Sequence, residues 1–225
     1  MNKTVKIGIL ATIIAIPIFL YLFLVIFGVN KHKLKKFHPI DVIKKEIKPG
    51  VFKYDTIYHK VKDFTLITHL GDTFSTSSIP DKIYIVDFFF TRCSSICPQM
   101  TKQLTRIQER FKKRNDFKIL SITIDQNYDT PDVLKSYSKK FNANDSLWLF
   151  LTGEKNVIYN LAKNQFFLNV LEDNTLEQEE FIHSDKVVLV DKNRNIRGYY
   201  NGTSDEDIER LMIEMDILFY EYSKK

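Results

Sequence analysis

The stretch from residue 83 to residue 98 constrains the fold more than any other part of the sequence. Residues 83–90 (IYIVDFFF) form an almost continuous apolar and β-branched run, which is typical of a strand buried on both faces of a sheet. The segment TRCSSICP follows over residues 91–98, and apolar residues then recur with a helical period over residues 100–111. A buried strand that turns through two cysteines into a helix predicts an α/β fold with a site at the junction, because open α/β sheets place their sites at the carboxyl ends of strands.

The rest of the domain predicts strands that alternate with helices. Apolar runs, capping residues and turn residues define each element. In chain order we predict a hairpin over residues 63–75, the strand at 83–90, a helix ending near residue 115, a strand at 117–124, a helix starting at Pro131 with Thr130 as its cap, a strand at 147–151, a short helix at 154–163, a hairpin with strands at 187–190 and 196–200, and a final helix capped by Ser204. This order predicts an α/β sandwich of the thioredoxin kind.

An apolar run near the amino terminus predicts one transmembrane helix. No residue from 7 to 29 is charged, and a helix over this run would span roughly 34 Å, enough to cross the hydrocarbon core of a bilayer. Pro17 lies inside the run, which membranes tolerate. A cleaved signal peptide is the alternative, since Lys3 and Lys6 precede the run. We favour an uncleaved anchor, because the run is too long for an ordinary signal sequence and no Ala-x-Ala site closes it.

The positive charge of the chain is concentrated next to this predicted anchor. The net charge is +5, and residues 1–36 contain six lysines and no acid, which leaves 27 basic against 28 acidic residues in the remainder. This basic collar suits anionic lipid headgroups, and it does not indicate a nucleic-acid partner. We predict three parts: a membrane anchor over residues 1–30, a charged tether over residues 31–50 and a thioredoxin-like domain over residues 51–225.

Cys93 and Cys97 are the only cysteines in the chain. The start of a helix lowers the pKa of a thiol. Redox motifs of thioredoxin-like proteins have two residues between their cysteines, whereas the three residues here place the sulfurs about one helical turn apart, where both can reach one ion. A structural disulfide or two inert core thiols is the alternative. The position of both cysteines at one strand-to-helix turn favours a functional site.

Two thiolates need a further ligand to complete a metal site, and His183 is our candidate. It stands just before the predicted strand at 187–190, in the place where a thioredoxin-like fold brings a loop against its active-site turn. Thiol oxidoreductases of that fold carry a cis-proline in this loop, but no proline follows Pro131 here. His183 stands where that proline is expected, which favours metal binding over disulfide exchange, although a purely structural role is the alternative for a lone histidine. Thiolates favour Cu(I), and an added imidazole also accepts Cu(II), although zinc tolerates the same donors.

These motifs together resemble the Sco/SenC family of copper chaperones, over residues 62–222. The resemblance includes the Asp63-Phe-Thr-Leu segment with the following Gly71, the cysteine motif, the DxxxDTP motif at residues 125–131, and the His-Ser pair at 183–184. Two departures are Ser94, where many members have proline, and residues 126–128 (QNY), which replace the usual Pro-Glu-Arg. Neither departure affects a predicted ligand.

The resemblance implies specific residue roles. Cys93 and Cys97 would be thiolate ligands of copper, as Cu(I) or Cu(II), and His183 would be the imidazole ligand. Asp125 and Asp129 match family aspartates that lie near the site, where they would support the ligands without binding the metal. The alternative is that they only form the turn that leads into the next helix.

The resemblance also implies a cellular role, that of a metallochaperone rather than an enzyme. The chain would receive copper from an upstream donor, with a thiol reductant, and deliver it to the dicopper centre of cytochrome c oxidase subunit II. The alternative is a thiol-disulfide oxidoreductase or redox sensor that acts on the cysteines of subunit II. The lysines after the predicted anchor would leave the domain in the cytoplasm by the positive-inside rule. We predict the opposite from the chemistry of the site: a single-pass protein of the cytoplasmic (inner) membrane with its domain on the periplasmic side.

Overall fold

The computed structural model describes residues 2–27, 33–168 and 185–224. The chain forms two compact units, Met1–Lys33 and Leu34–Lys225. The described part of the first unit contains the helix α1 (Lys3–Phe27), which includes Pro17. Its segment Lys3–Leu24 is long and apolar enough to cross a membrane, and none of it is buried. This agrees with the predicted anchor, and the same length and composition would fit a signal sequence.

The second unit contains a seven-stranded mixed sheet with helices on it. Its elements are β1 (Pro39–Lys48), β2 (Val51–Tyr58), β3 (Thr65–Thr68), β4 (Thr73–Ser75), β5 (Ile83–Phe89), α2 (Ile96–Phe111), β6 (Phe117–Thr123), α3 (Pro131–Lys140), β7 (Trp148–Thr152), α4 (Lys155–Asn160), β8 (Lys186–Val190), β9 (Ile196–Asn201) and α5 (Asp205–Ser223). The strand order in the sheet is β4-β3-β7-β6-β5-β8-β9. Strands β5, β6 and β7 are parallel, and the outer pairings are antiparallel. This architecture confirms the predicted thioredoxin-like α/β fold.

Both faces of the sheet are covered, which explains the continuous apolar run of β5. All seven of its residues are buried. Ile83 and Ile85 pack into a cluster with apolar residues of α2, α3 and α5, whereas Val86 and Phe88 pack into a second cluster with α4 and the segment after it. Successive residues of a strand point to opposite faces of the sheet, so a strand between two layers needs apolar residues at nearly every position.

Most predicted elements are present, with small differences at the helix ends. Thr130 and Ser204 cap α3 and α5 through their side-chain oxygens, as predicted. Helix α2 ends at Phe111, earlier than the predicted residue 115, because a turn follows in which the Arg114 N–H donates to the Phe111 carbonyl. Helix α4 ends at Asn160 and continues as a wider π-helical turn, Leu161–Gln165.

A two-stranded antiparallel ribbon occupies most of the segment predicted as a charged tether. Strands β1 and β2 pair along their length and join through a turn at Pro49-Gly50, with Gly50 at φ +78°. A proline followed by a glycine is a turn signal, because proline fixes its own φ and glycine tolerates a positive φ. The sequence analysis missed the ribbon because β1 shows no strict apolar alternation beside this turn signal. We call residues 39–58 the ribbon.

Candidate metal centre

The two cysteines lie together where β5 passes into α2. Cys93 is in the turn that follows the strand, and Cys97 is the second residue of the helix. The backbone N–H of Cys97 lies 3.5 Å from the Cys93 sulfur and donates to it. Both cysteines are free thiols. The local fold therefore brings the two sulfurs to one place at the carboxyl end of a central strand, as the sequence predicts.

The two thiols differ in exposure and in acidity. Cys97 is only 2% exposed, and burial raises its pKa to about 12 because a thiolate is poorly solvated there. Cys93 is half-buried. Burial acts to raise the pKa of Cys93 as well, but hydrogen bonds from the backbone N–H groups of Cys97 and Ser95 outweigh it and lower this pKa to about 7. The pair thus combines an accessible thiol that ionises near neutral pH with a buried thiol that stays protonated there.

This difference predicts selective alkylation of the reduced chain. We expect iodoacetamide to modify Cys93 at a rate that rises with pH and is half-maximal near pH 7, because only the thiolate reacts and its pKa is about 7. Cys97 should stay unmodified in the folded chain. Fragmentation mass spectrometry after timed quenching measures both sites, and a Cys93→Ser variant controls for Cys97. Equal labelling of the two cysteines, or a midpoint near the ordinary value of about 8.5, would contradict the description of the site.

Asp129, in the segment between β6 and α3, holds the cysteine turn. Its carboxylate is fully buried and accepts hydrogen bonds from the Thr91 backbone N–H at 3.0 Å and from the hydroxyl groups of Thr91 and Thr123. Because Thr91 lies two residues before Cys93, this carboxylate connects the segment after β6 to the turn that carries the thiols. Asp129 therefore supports the cysteine turn.

Asp125 lies just after the carboxyl end of β6 and pairs with Arg92. The Arg92 Nε and Nη2 atoms donate to Asp125 Oδ2 at 3.0 and 2.6 Å, and the guanidinium lies 4.4 Å from the centre of the Tyr128 ring. Arg92 itself is exposed. Asp125 therefore fixes the guanidinium of Arg92, the residue that precedes Cys93 in the chain. Tyr128 belongs to the three residues that depart from the family pattern, and it contributes the stacking surface for that cation.

His183 lies outside the described residues. The chain is described again from Asp185, whose carbonyl accepts a hydrogen bond from the Gly202 N–H at 2.6 Å. Strand β8 starts at Lys186 and pairs antiparallel with β5, with Val187 opposite Asp87. The start of β8 is thus at the same end of the sheet as the end of β5. Among the described residues, no group of three or more Cys, His, Asp or Glu side chains could hold a metal ion.

Asp87 is a buried acid near the thiols that the sequence analysis did not single out. It lies on β5, is 1% exposed, and accepts a hydrogen bond from the Ser121 hydroxyl at 2.6 Å. Burial raises its pKa to about 7, and its charge contributes to the raised pKa of Cys97. The signal was present in the sequence, because Asp87 is the one polar residue inside an otherwise apolar run.

The fold and the dithiol turn define a class: a thioredoxin-like α/β protein with a pair of cysteines at the end of a central strand. Comparison with known proteins is more specific, since the family model of SCO1/SenC proteins matches residues 54–215. The chain belongs to the SCO1/SenC family.

Individual relatives agree with this assignment. The chain is 28% identical over 163 residues to the SCO1 protein homolog of Bacillus subtilis, with 72% of this chain and 83% of the relative covered. The solved structure of BsSco, described as a member of the Sco family of cytochrome c oxidase assembly proteins, superposes with a TM-score of 0.61 at 27% identity, over 71% of this chain and 93% of that one. Arabidopsis thaliana ScoI, solved with copper bound, has the same fold, with a TM-score of 0.58 at 21% identity over 72% and 98%.

Proposed function

We propose that this chain is a membrane-anchored copper chaperone that carries one copper ion on Cys93, Cys97 and His183. The observation that carries the proposal is the dithiol turn: two free thiols held together at the end of β5, one of them with a pKa of about 7. In the sequence, His183 stands three residues before Lys186, where β8 begins and pairs with β5. The copper-bound solved relative supports the choice of metal.

The donor set fits copper as a cargo. Soft thiolates favour Cu(I), and the imidazole of His183 would let the same set accept Cu(II). Cys93 is accessible and ionised near neutral pH, so it is suited to capture the ion first. The pKa of Cys97 is about 12, so its thiol is protonated near neutral pH and copper must displace that proton. The apparent affinity for copper therefore rises with pH. Asp129 holds the cysteine turn, and this turn keeps the two sulfurs in place while copper binds and leaves.

We further propose that the copper is passed to the dicopper centre of cytochrome c oxidase subunit II. The family's link to oxidase assembly, stated for BsSco, supports this choice of client. Helix α1 would anchor the chain in the cytoplasmic membrane, with the domain on the periplasmic side, where an upstream copper donor and a thiol reductant would load it. The half-buried position of Cys93 supports transfer, because a client thiol can approach it.

A thiol-disulfide oxidoreductase or redox sensor is the second candidate, and the unequal pKa values of the two thiols favour it. An accessible thiol of low pKa can attack a disulfide, and a buried second thiol can then resolve the mixed disulfide. The solved structure of BsSco is described as containing a disulfide switch. In this function His183 would have no role, which separates the two candidates.

Copper titration of the purified full-length chain tests the proposal. We expect one copper per chain when the thiols are reduced, by elemental analysis after gel filtration, and a loss of binding when Cys93 and Cys97 are oxidised to a disulfide. Reduction of a disulfide peptide derived from subunit II is measured in parallel. A reduced chain that reduces the peptide but retains no copper would replace the chaperone with the oxidoreductase.

A further inference from the structure

The ribbon exposes more apolar surface than a solvated segment should. Ile40, Ile47 and Tyr54 are 66%, 60% and 64% exposed, and further large apolar side chains of the ribbon are also exposed. No residue of β1 is buried, and β2 is exposed over its first six residues. A two-stranded ribbon alone in water is marginally stable at best, and many large apolar side chains exposed on one small element mark an interaction site. The ribbon therefore needs a partner surface.

The end of the ribbon near its turn combines these apolar residues with lysines. Lys45 on β1 lies directly opposite Lys53 on β2, and like charges in opposite positions destabilise a strand pair. Lys53 contacts Asp55 at 3.4 Å, on the side away from the turn. Lys48 closes the ribbon opposite Val51. An anionic surface would remove the repulsion between these lysines, so the charge of the ribbon fits such a surface.

The segment between the predicted anchor and the ribbon is short. Only residues 28–38 separate the end of α1 from the start of β1, and a fully extended chain of that length reaches roughly 40 Å. Residues 31–58 contain eight lysines and three carboxylates. Each lysine near an anionic membrane surface contributes favourably to binding. Tether length and charge thus both indicate the lipid surface rather than a distant partner.

We propose that the ribbon docks on anionic phospholipid by its turn end. Val51 and Phe52 lie next to the turn on opposite faces of the ribbon, so both would enter the headgroup region together with Ile47, and the lysines near the turn would contact lipid phosphates. Lys44 lies 3.7 Å from the centre of the Phe52 ring, so this aromatic group would enter the interface together with a cation. A second copy of the chain is a poorer occupant, because pairing two ribbons edge to edge would bring lysines of the same sign together. The inference rests on the membrane anchoring of the proposed function. Docking would hold the domain in a defined orientation over the membrane.

An environment-sensitive probe on the ribbon tests the docking. The full-length chain, in a Cys93→Ser, Cys97→Ser background, carries Phe52→Cys labelled with the fluorophore NBD and is reconstituted in vesicles with or without 30% phosphatidylglycerol in phosphatidylcholine. We expect emission to shift to the blue and to rise roughly twofold or more with the anionic lipid, because the probe leaves water for the interfacial region. The change should decrease at about 1 M salt, where screening is strong.

Two matched variants control the result. The same probe at Ile213→Cys, an exposed apolar position on α5, should not respond to the lipid. Replacing Lys45, Lys48 and Lys53 by glutamine should weaken docking by about fivefold per lysine. An unshifted probe at position 52 overturns the proposal, as does a shift that depends on protein density rather than on lipid, which would indicate a second copy.

The same lysine variants with both cysteines restored separate this inference from the proposed function. They should bind copper at the stoichiometry of the unaltered chain, because the ribbon contributes no ligand. Loss of copper binding by the unaltered chain would reject the chaperone and leave the docking result standing, whereas recovery of the labelled chain in the soluble fraction would reject the anchor and the docking together.

Discussion

Replacing Cys97 by serine is expected to reduce the affinity of the chain for Cu(I) by about 100-fold or more. Disturbing a residue that only supports a metal ligand costs 10- to 100-fold in affinity, and this variant removes a ligand. A serine hydroxyl does not ionise near neutral pH and is a hard donor, so it cannot replace a soft thiolate. The same loss is expected for Cys93→Ser. Competition with a Cu(I) chelator of known affinity measures the effect.

His183→Ala is expected to affect the binding of Cu(I) and the binding of Cu(II) differently. Two thiolates alone still bind Cu(I), whereas stable Cu(II) binding and its thiolate absorption bands need the nitrogen ligand. We therefore expect loss of the Cu(II) bands, weaker Cu(I) binding, and no change in the reduction of a disulfide peptide. His32→Ala, outside the thioredoxin-like domain, is the matched control.

Ser94→Ala controls for the cysteine variants. Ser94 is exposed and lies between the two cysteines in sequence. Its replacement therefore tests whether any substitution in this turn reduces copper binding. We expect it to bind copper normally. If Cys93→Ser or His183→Ala retained full copper stoichiometry with the same absorption bands, the assigned ligand set would be wrong.

The second large effect concerns a buried ion cluster remote from the thiols. Arg197 on β9 has a side chain that is 1% exposed, and it pairs with Asp191 at 2.9 Å and with Glu221 of α5 at 2.8 Å. Its guanidinium also donates to the carbonyls of Leu34 and Lys35 at 2.8 and 3.1 Å. One buried cation thus joins the hairpin β8–β9, the last helix and the segment that precedes the ribbon.

Arg197→Met should lower the free energy of unfolding by about 3–5 kcal/mol, because it leaves buried Asp191 without its cation. Asp191 is fully buried, so water cannot replace the lost partner. Urea titration in mild detergent, followed by the fluorescence of the single tryptophan, Trp148, measures the change. This residue reports on the core because it is buried and its indole N–H donates to the Ser121 hydroxyl at 2.9 Å.

Arg110→Met is the control for this variant. Arg110 also makes a close ion pair between two elements, with Asp216 at 2.6 Å, but both side chains are about half exposed. Exposed pairs contribute little, so we expect a loss below about 1 kcal/mol. If Arg197→Met and Arg110→Met lowered the free energy of unfolding by similar amounts, burial would not explain the contribution of the Arg197 cluster to stability.

The sequence predicted the central part of the fold because burial on two faces leaves a strong signal. The apolar runs of β5 and β6 and the caps Thr130 and Ser204 located their elements within a few residues. The cysteine spacing also predicted that both thiols share one turn. These features are local: periodicity, capping and spacing act over a few residues along the chain.

The ribbon and the polar residues of the core were harder to predict from the sequence. Strand β1 has neither a continuous apolar run nor a strict alternation, because neither of its faces packs on the core. Asp87 and Arg197 are charged residue types whose burial depends on partners far away in sequence, Ser121 for the first and Glu221 for the second. Sequence patterns do not show which distant partners a buried charge will find.

The amino-acid sequence alone determined the class of fold, the anchor-like helix and the dithiol turn, since each depends on short-range patterns of burial and spacing. Only the tertiary structure decided which of the two thiols has the lower pKa, that Asp129 holds their turn, and that Arg197 joins three separate parts of the chain. The physical reason is that acidity and ion pairing depend on desolvation and on neighbours brought together by folding.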